Sequence, residues 1–360
     1  MSCDNVRHEF LLFQVVALVA MCCPLLMAIM MTDLSLWYTR CPTPTPLGLA
    51  VKLGFVQAAL TAKSVGLQSL QSSPDEKVRA SHFDHSQPWS FRQGGNIPPI
   101  HARASGRDTR LIGITWIDEF QAVITLPATG ILDAAQLRGK RLGLPLQPPG
   151  IIDFQRATAL KGLLSTLQVA GIARDDVQFV DVATRTPLLG SATPGYPPQL
   201  VRRLPYASEL SQLIRGEIDA FFVKGAEGLS TAHQFGAVIV SETGGHADPA
   251  IRINNGTPRL LTVDGTLARE RPDLVQTLLD SVREAGEWAA HNRDATQRFV
   301  AQEIGVSEEA VQAAFGPELH LKFSTTLDAT GLQAIDSFKA FLLAEGFIDA
   351  DFAIEQWVYG

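Results

Sequence analysis

Five residues in two short stretches have side chains or backbone suited to chemistry. "TRCPTPTPLGLA" (39–50) holds Cys41, and "HFDHSQPWSFRQGGNIPP" (82–99) holds His82, Arg92, Gly94 and Gly95. A thiol can attack as thiolate or deliver a proton, and a neighbouring imidazole can tune which form is present. A guanidinium binds paired oxygens of an anion and stays charged, while glycines let backbone N–H groups approach one closely. Each residue also has a plainer reading. An isolated cysteine is ordinarily a packed small hydrophobe, an isolated arginine a surface charge and a glycine pair a turn. His82 and His85 spell H-x-x-H, which raises a zinc site with Cys41. The segment reads as irregular and offers no fourth ligand, so no metal is expected. His85 and His101 read as surface or supporting residues, and Trp89, Phe91 and Trp116 as core aromatics or an aromatic pocket wall.

These residues must be positioned by a large folded body. The chain has 360 residues, 46% hydrophobic and 19% charged, which fits a well-packed protein of two lobes. Its net charge of −7 and lack of a basic cluster argue against nucleic acid. An anionic ligand would therefore be held by a few local donors.

Thr45 and Pro46 can start a helix over the apolar positions that follow Cys41. "SLQSSPDEKVRAS" reads as a loop, and the stretch from His82 as irregular until a short helix that Asn96 could cap. From "RLIGIT" the chain alternates strands and helices: "QAVITL", "KRLGLPL", a helix over 153–170, "DVQFVDV", "SELSQLIRG", "IDAFFVK" and "GAVIVS". Such alternation predicts parallel sheet with crossover helices. The last third is mainly helical, with Ser307 capping "SEEAVQAAF". The expected organisation is an apolar segment over 1–32, lobe 1 from 33–120 plus 232–360, and lobe 2 from 121–231. The crossovers are expected near 118–124 and 224–235, with function in the cleft between lobes.

Of the four cysteines, Cys3, Cys22 and Cys23 lie in or before the apolar run, leaving one thiol in the folded part. That favours a reducing compartment. The run at 11–31 is about long enough to span a bilayer, yet its start is not net positive and no cleavage site follows. It reads as an uncleaved anchor, or as sequence upstream of a start at Met30 or Met31; the folded pattern beginning near Asp33 favours the second.

"LRGKRLGLP" and "IRGEIDAFFVKG" resemble the second lobe of type II periplasmic-binding-protein folds, which include sulfonate, nitrate and taurine transport receptors. "CPTPTPLGLAVKLGF", "HFDHSQPWSFRQGGNIPP" and "GRDTRLIGIT" resemble more specifically the 2'-hydroxybiphenyl-2-sulfinate desulfinase family of dibenzothiophene desulfurisation. The resemblance covers roughly residues 36–350. It implies an α/β, two-lobed fold and cleavage of an aryl sulfinate C–S bond with release of sulfite, with no cofactor.

By motif, the family's cysteine, histidine and arginine fall on Cys41, His82 and Arg92. Its oxyanion glycine falls on Gly95, preceded by Gly94. Arg92 would clamp the anion, His82 would tune the thiol, and Cys41 would be either nucleophile or proton donor. The non-enzymatic alternative is a solute-binding receptor for a sulfonate-like anion, which would need Arg92 and Gly94–Gly95 but not Cys41 or His82. The expected partner is a small aryl sulfinate or sulfonate-like anion. The chain is expected to be monomeric and cytoplasmic, with a periplasmic or membrane-anchored location through 11–31 as the alternative.

Overall fold

The computed structural model describes residues 34–148, 150, 152–183 and 205–360. The apolar segment over 1–32, its candidate anchor at 11–31 and the three cysteines in or before it lie outside the described residues. Among the described residues no helix is long and apolar enough to cross a membrane.

Ten strands are described: β1 (Ser35–Arg40), β2 (Gly66–Ser69), β3 (Ser90–Gly94), β4 (Thr109–Thr115), β5 (Gln121–Thr125), β6 (Arg141–Leu146), β7 (Gln178–Ala183), β8 (Ala220–Lys224), β9 (Val238–Glu242) and β10 (Arg259–Asp264). They form two five-stranded sheets, ordered β2-β1-β3-β10-β4 and β7-β6-β8-β5-β9. Both faces of each are covered. In β10, Leu261 joins one core with Leu36 and Phe91, while Leu260 turns to the opposite core with Ile97 and Leu111. This period-two alternation is what a strand requires when helices cover both sides.

The chain passes from the first sheet to the second over 116–120, between β4 and β5, and returns over 243–258, between β9 and β10. The return is later than expected: β9 pairs with β5, so 232–242 belongs with the second sheet and the 231/232 boundary is corrected. Nor are the sheets purely parallel. β1 runs parallel to β2 and β3, and β6 parallel to β7 and β8. β10 is antiparallel to β3 and β4, as β5 is to β8 and β9. β5 and β10 are the strands on which the chain enters one sheet from the other, so they run opposite to their neighbours.

Two local signals behave as their chemistry dictates. Thr45 accepts from Gly48 N at 3.1 Å and Pro46 fills the first turn of the helix Pro46–Lys52. Gly171 ends the helix Phe154–Ala170 in the left-handed region. The stretch read as loop and irregular chain instead forms a helix, Glu76–Asp84, capped by Asp75, with His85 in left-handed conformation at its end. Only Ser81 of that helix is buried, so it shows no apolar stripe.

Candidate active site

Parallel pairing of β1 with β3 builds the site. Thr39 stands opposite Arg92 and Arg40 opposite Gln93, so the chain leaves β1 at Cys41 beside the end of β3. Cys41 N donates to Gln93 O at 3.1 Å, and Gln93 secures the turn from below. Its side-chain oxygen accepts from Leu47 N at 2.7 Å and its amide donates to Thr115 Oγ1 at 3.1 Å. The Cys-Pro turn is thus fixed to three elements, which cuts the entropy lost in holding a reactive geometry.

His82 enters from the last turn of the helix Glu76–Asp84, its Nε2 3.8 Å from Cys41 Sγ. Thr39 Oγ1 shares a 2.7 Å hydrogen bond with Nδ1 and fixes the ring. Arg92, 3% exposed, donates from Nε to His82 O at 3.0 Å, from Nη1 to Gly95 O at 3.0 Å and from Nη2 to Cys41 Sγ at 3.4 Å. A guanidinium has five N–H groups, so one remains on each terminal nitrogen for an anion. Cys41, His82, Arg92 and Gly95 all line one cleft of about 560 Å³.

Electrostatics follow from this packing. Burial alone would raise the Cys41 thiol. The charge of Arg92, the hydrogen bond and charge of His82 and the backbone N–H of Gly95 outweigh it and bring the thiol down to about 6. Burial in turn lowers Arg92, and the sulfur's negative charge offsets part of that. His85, behind the site, is pushed well below its ordinary value by burial and then by the charges of Arg92 and His82. It remains the neutral imidazole.

The glycines serve close approach, not a turn. Gly94 is the last residue of β3, and neither glycine has positive φ. A Cβ on Gly94 would sit 2.3 Å from Cys41 Sγ, and one on Gly95 2.2 Å from Asn255 Oδ1. Asn96 stands at the N-cap of the helix Ile97–Ala104, but its side chain makes no cap bond and donates to Asn254 O and Pro258 O. Pro98 and Pro99 carry no N–H, and that of Ile97 is taken by Asn255 Oδ1. The donors here are therefore those of Gly95 and Arg92, not an open helix end.

Of the aromatics singled out from sequence, Phe91 lies in the core with Trp89 packed against it, and Trp116 donates to Asp118 under the Arg252 guanidinium. None lines the cleft. Phe83, Phe154, Phe222, Tyr206 and Phe315 do. Phe83 and Phe154 stack at 5.9 Å across the cleft, and Gly162 lets Phe222 lie against its helix, where a Cβ would meet the ring at 2.1 Å. Phe83, directly after His82, could have been found by adjacency. Thr39 and the second-sheet aromatics carry no motif. Deeper in the cleft, Glu119 pairs with Lys224 at 2.6 Å and lies 3.7 Å from the fully buried Arg259, whose Nη2 donates to Thr43 Oγ1 of the Cys-Pro turn.

No protein-family model matches the chain. Two curated proteins, the 2'-hydroxybiphenyl-2-sulfinate desulfinases of Rhodococcus erythropolis and Rhodococcus qingshengii, are each 29% identical to it over 352 residues, covering 90% of this chain and 91% of theirs. Among solved structures, a cysteine-to-serine mutant of the desulfurization enzyme DszB in complex with biphenyl-2-sulfinic acid matches with a TM-score of 0.69 and 27% identity. That match covers 91% of this chain and 96% of the other. The periplasmic aliphatic sulphonate binding protein of Escherichia coli matches at TM-score 0.62 and 14% identity over 91% and 92% of the two chains, a likeness of fold alone. The resemblance expected from the Cys-Pro, His-Phe and Arg-x-Gly-Gly segments therefore extends over about nine-tenths of the chain: it is similar in sequence and structure to the 2'-hydroxybiphenyl-2-sulfinate desulfinases, on a periplasmic-binding-protein-like fold.

Proposed function

We propose that this protein is a cysteine-dependent desulfinase that cleaves the C–S bond of an aryl sulfinate and releases sulfite. The observation that carries the reading is the Cys41 thiol, lowered to about 6 and in contact with Arg92 and His82, in a cleft walled by aromatic rings. Similarity to named desulfinases over 90% of the chain supports it. A sulfonate receptor would share the fold but leave Cys41 and His82 without a task.

The sulfinate oxygens bind the two remaining N–H groups of Arg92 and the N–H of Gly95, and the aryl group lies among Phe83, Phe154 and Phe222. A second negative charge beside Arg92 raises the proton affinity of Cys41, so the thiol form arrives with the substrate. Thiolate attack would drive an anion onto an already anionic sulfur that bears a lone pair. Proton delivery lowers the charge instead. Cys41 therefore gives its proton to the ring carbon. A C–H bond forms, the C–S bond breaks with its electron pair returning to the ring, and sulfur leaves as sulfur dioxide. Water converts this to hydrogen sulfite and a proton. The sum is sulfinate plus water to arene plus hydrogen sulfite, with no electrons passed to another molecule.

Cys41, the free cysteine among the described residues, would keep its thiol best in a reducing compartment, which supports a cytoplasmic enzyme. The test is sulfite release from 2'-hydroxybiphenyl-2-sulfinate and benzenesulfinate. Wild type turns over at least one. Cys41→Ser loses roughly a thousandfold or more with an unchanged melting temperature. Binding without turnover in wild type, or full activity in the serine variant, overturns the reading.

A further inference from the structure

The loop that returns the chain to the first sheet brings Asn255 to the cleft, directly over Gly95. Its carboxamide orientation is fixed by chemistry. Ile97 N donates to one side-chain atom at 3.3 Å, and only the oxygen can accept. The nitrogen is thereby turned the other way. Nδ2 lies 3.1 Å from where a Gly95 Cβ would stand, it has no hydrogen-bond partner among the described residues, and it is not among the buried unpaired atoms. An amide that is held by its oxygen and flush against the oxyanion glycine presents its two N–H groups to the cleft.

The loop is also rigid. Asn255 N donates to Asn254 Oδ1 at 2.7 Å, and Asn255 O accepts from Lys224 Nζ, which Glu119 pairs at 2.6 Å. Lys224 ends β8 and Glu119 lies in the first crossover, so both connections between the sheets converge on this residue. A donor fixed before substrate arrives needs no reorganisation when charge is redistributed.

We infer that Asn255 is a further substrate-binding residue, whose side-chain N–H groups complete the anion clamp begun by Arg92 and the N–H of Gly95. This rests on the desulfinase reading for the identity of the anion, but not on turnover. Three donor positions around one sulfur suit an –SO₂⁻ or –SO₃⁻ group better than a lone guanidinium does. The residue also ties recognition of the anion to the loop that joins the two halves.

The experiment titrates biphenyl-2-sulfinate into Cys41→Ser protein by calorimetry, in otherwise wild-type background and with Asn255→Asp or Asn255→Ala. Aspartate keeps the acceptor for Ile97 N but replaces the donor with a carboxylate; alanine removes both. A binding role predicts that affinity falls about tenfold for alanine and about hundredfold or more for aspartate. A purely structural role predicts the reverse order, because aspartate preserves the Ile97 bond. Aspartate no weaker than alanine, or a loss abolished by raised salt, overturns the inference. Sulfite release in the Cys41 background distinguishes the two readings. Turnover with the reverse order sinks only the donor role, whereas the expected order without turnover sinks only the desulfinase.

Discussion

The two walls of the cleft are built on opposite plans. On the first-sheet side, β3 buries Arg92, Gln93 and the glycines at its end, and both long side chains are held by named partners, with one N–H left on each terminal nitrogen of Arg92. On the second-sheet side, β5 is buried throughout and β8 almost so; the surface facing the cleft carries the rings of Phe154, Phe222 and Tyr206 beside the Glu119–Lys224 ion pair and the carboxyl groups of Glu209 and Glu227. The first wall holds the reactive thiol and its guanidinium in place and the rings of the second shield them from water, so each makes the other's interactions stronger. The comparison teaches a division of labour. Substitutions in the first wall should act on the chemical step, and those in the second on binding of the ring.

Between these walls the largest effect is expected from Gly94→Ala. The new Cβ would sit 2.3 Å from Cys41 Sγ and 3.0 Å from Cys41 Cβ, so the thiol must rotate away from Arg92 and His82. We expect kcat to fall about hundredfold, with little change in KM. The readout specific to this cause is alkylation of Cys41 by iodoacetamide at neutral pH, which should slow because a thiol separated from Arg92 is no longer held near 6. A variant that alkylates as fast as wild type would show that the thiol does not need this glycine.

Next in size is the pH dependence. The working form in our reading is the protonated thiol, and in the free protein it is held at about 6. Above that pH the fraction protonated falls, so kcat/KM should fall by about tenfold per unit. A nucleophilic thiolate would give the opposite sign, with kcat/KM rising through the same pH. The profile of kcat should break at higher pH, because the bound anion competes for Arg92.

The same contrast decides how much could be read from the residues. The central strands of the second sheet were legible, though not their direction or the place of β9: "QAVITL" and "IDAFFVK" are apolar runs with no polar side chain at their centres, and the structure makes them β5 and β8. β3 was not, because "SFRQG" carries Arg92 and Gln93 where a strand pattern wants hydrophobes. Their burial is compensated by hydrogen bonds to distant partners, Leu47 N, Thr115 Oγ1 and His82 O, which no local pattern reveals. The residues of the candidate site were legible by family motif, and the structure brings Cys41, His82, Arg92 and Gly95 to one cleft. Thr39 and Asn255 were not, since each acts through a contact set by register or by a loop far along the chain.

The smallest effect tests the second wall. Phe154 stacks on Phe83 at 5.9 Å and 16° between planes, one ring from each side of the cleft. Phe154→Leu keeps an apolar side chain but removes the stack, worth about 0.5–1.5 kcal/mol beyond its area. In the proposed binding mode the ring would touch the aryl group before and during reaction alike, so its loss should remove uniform binding. KM should therefore rise by about two- to tenfold while kcat holds, as measured by steady-state sulfite release. A fall in kcat instead would mean that this stack positions His82, the neighbour of Phe83, and that the second wall reaches into the chemistry of the first.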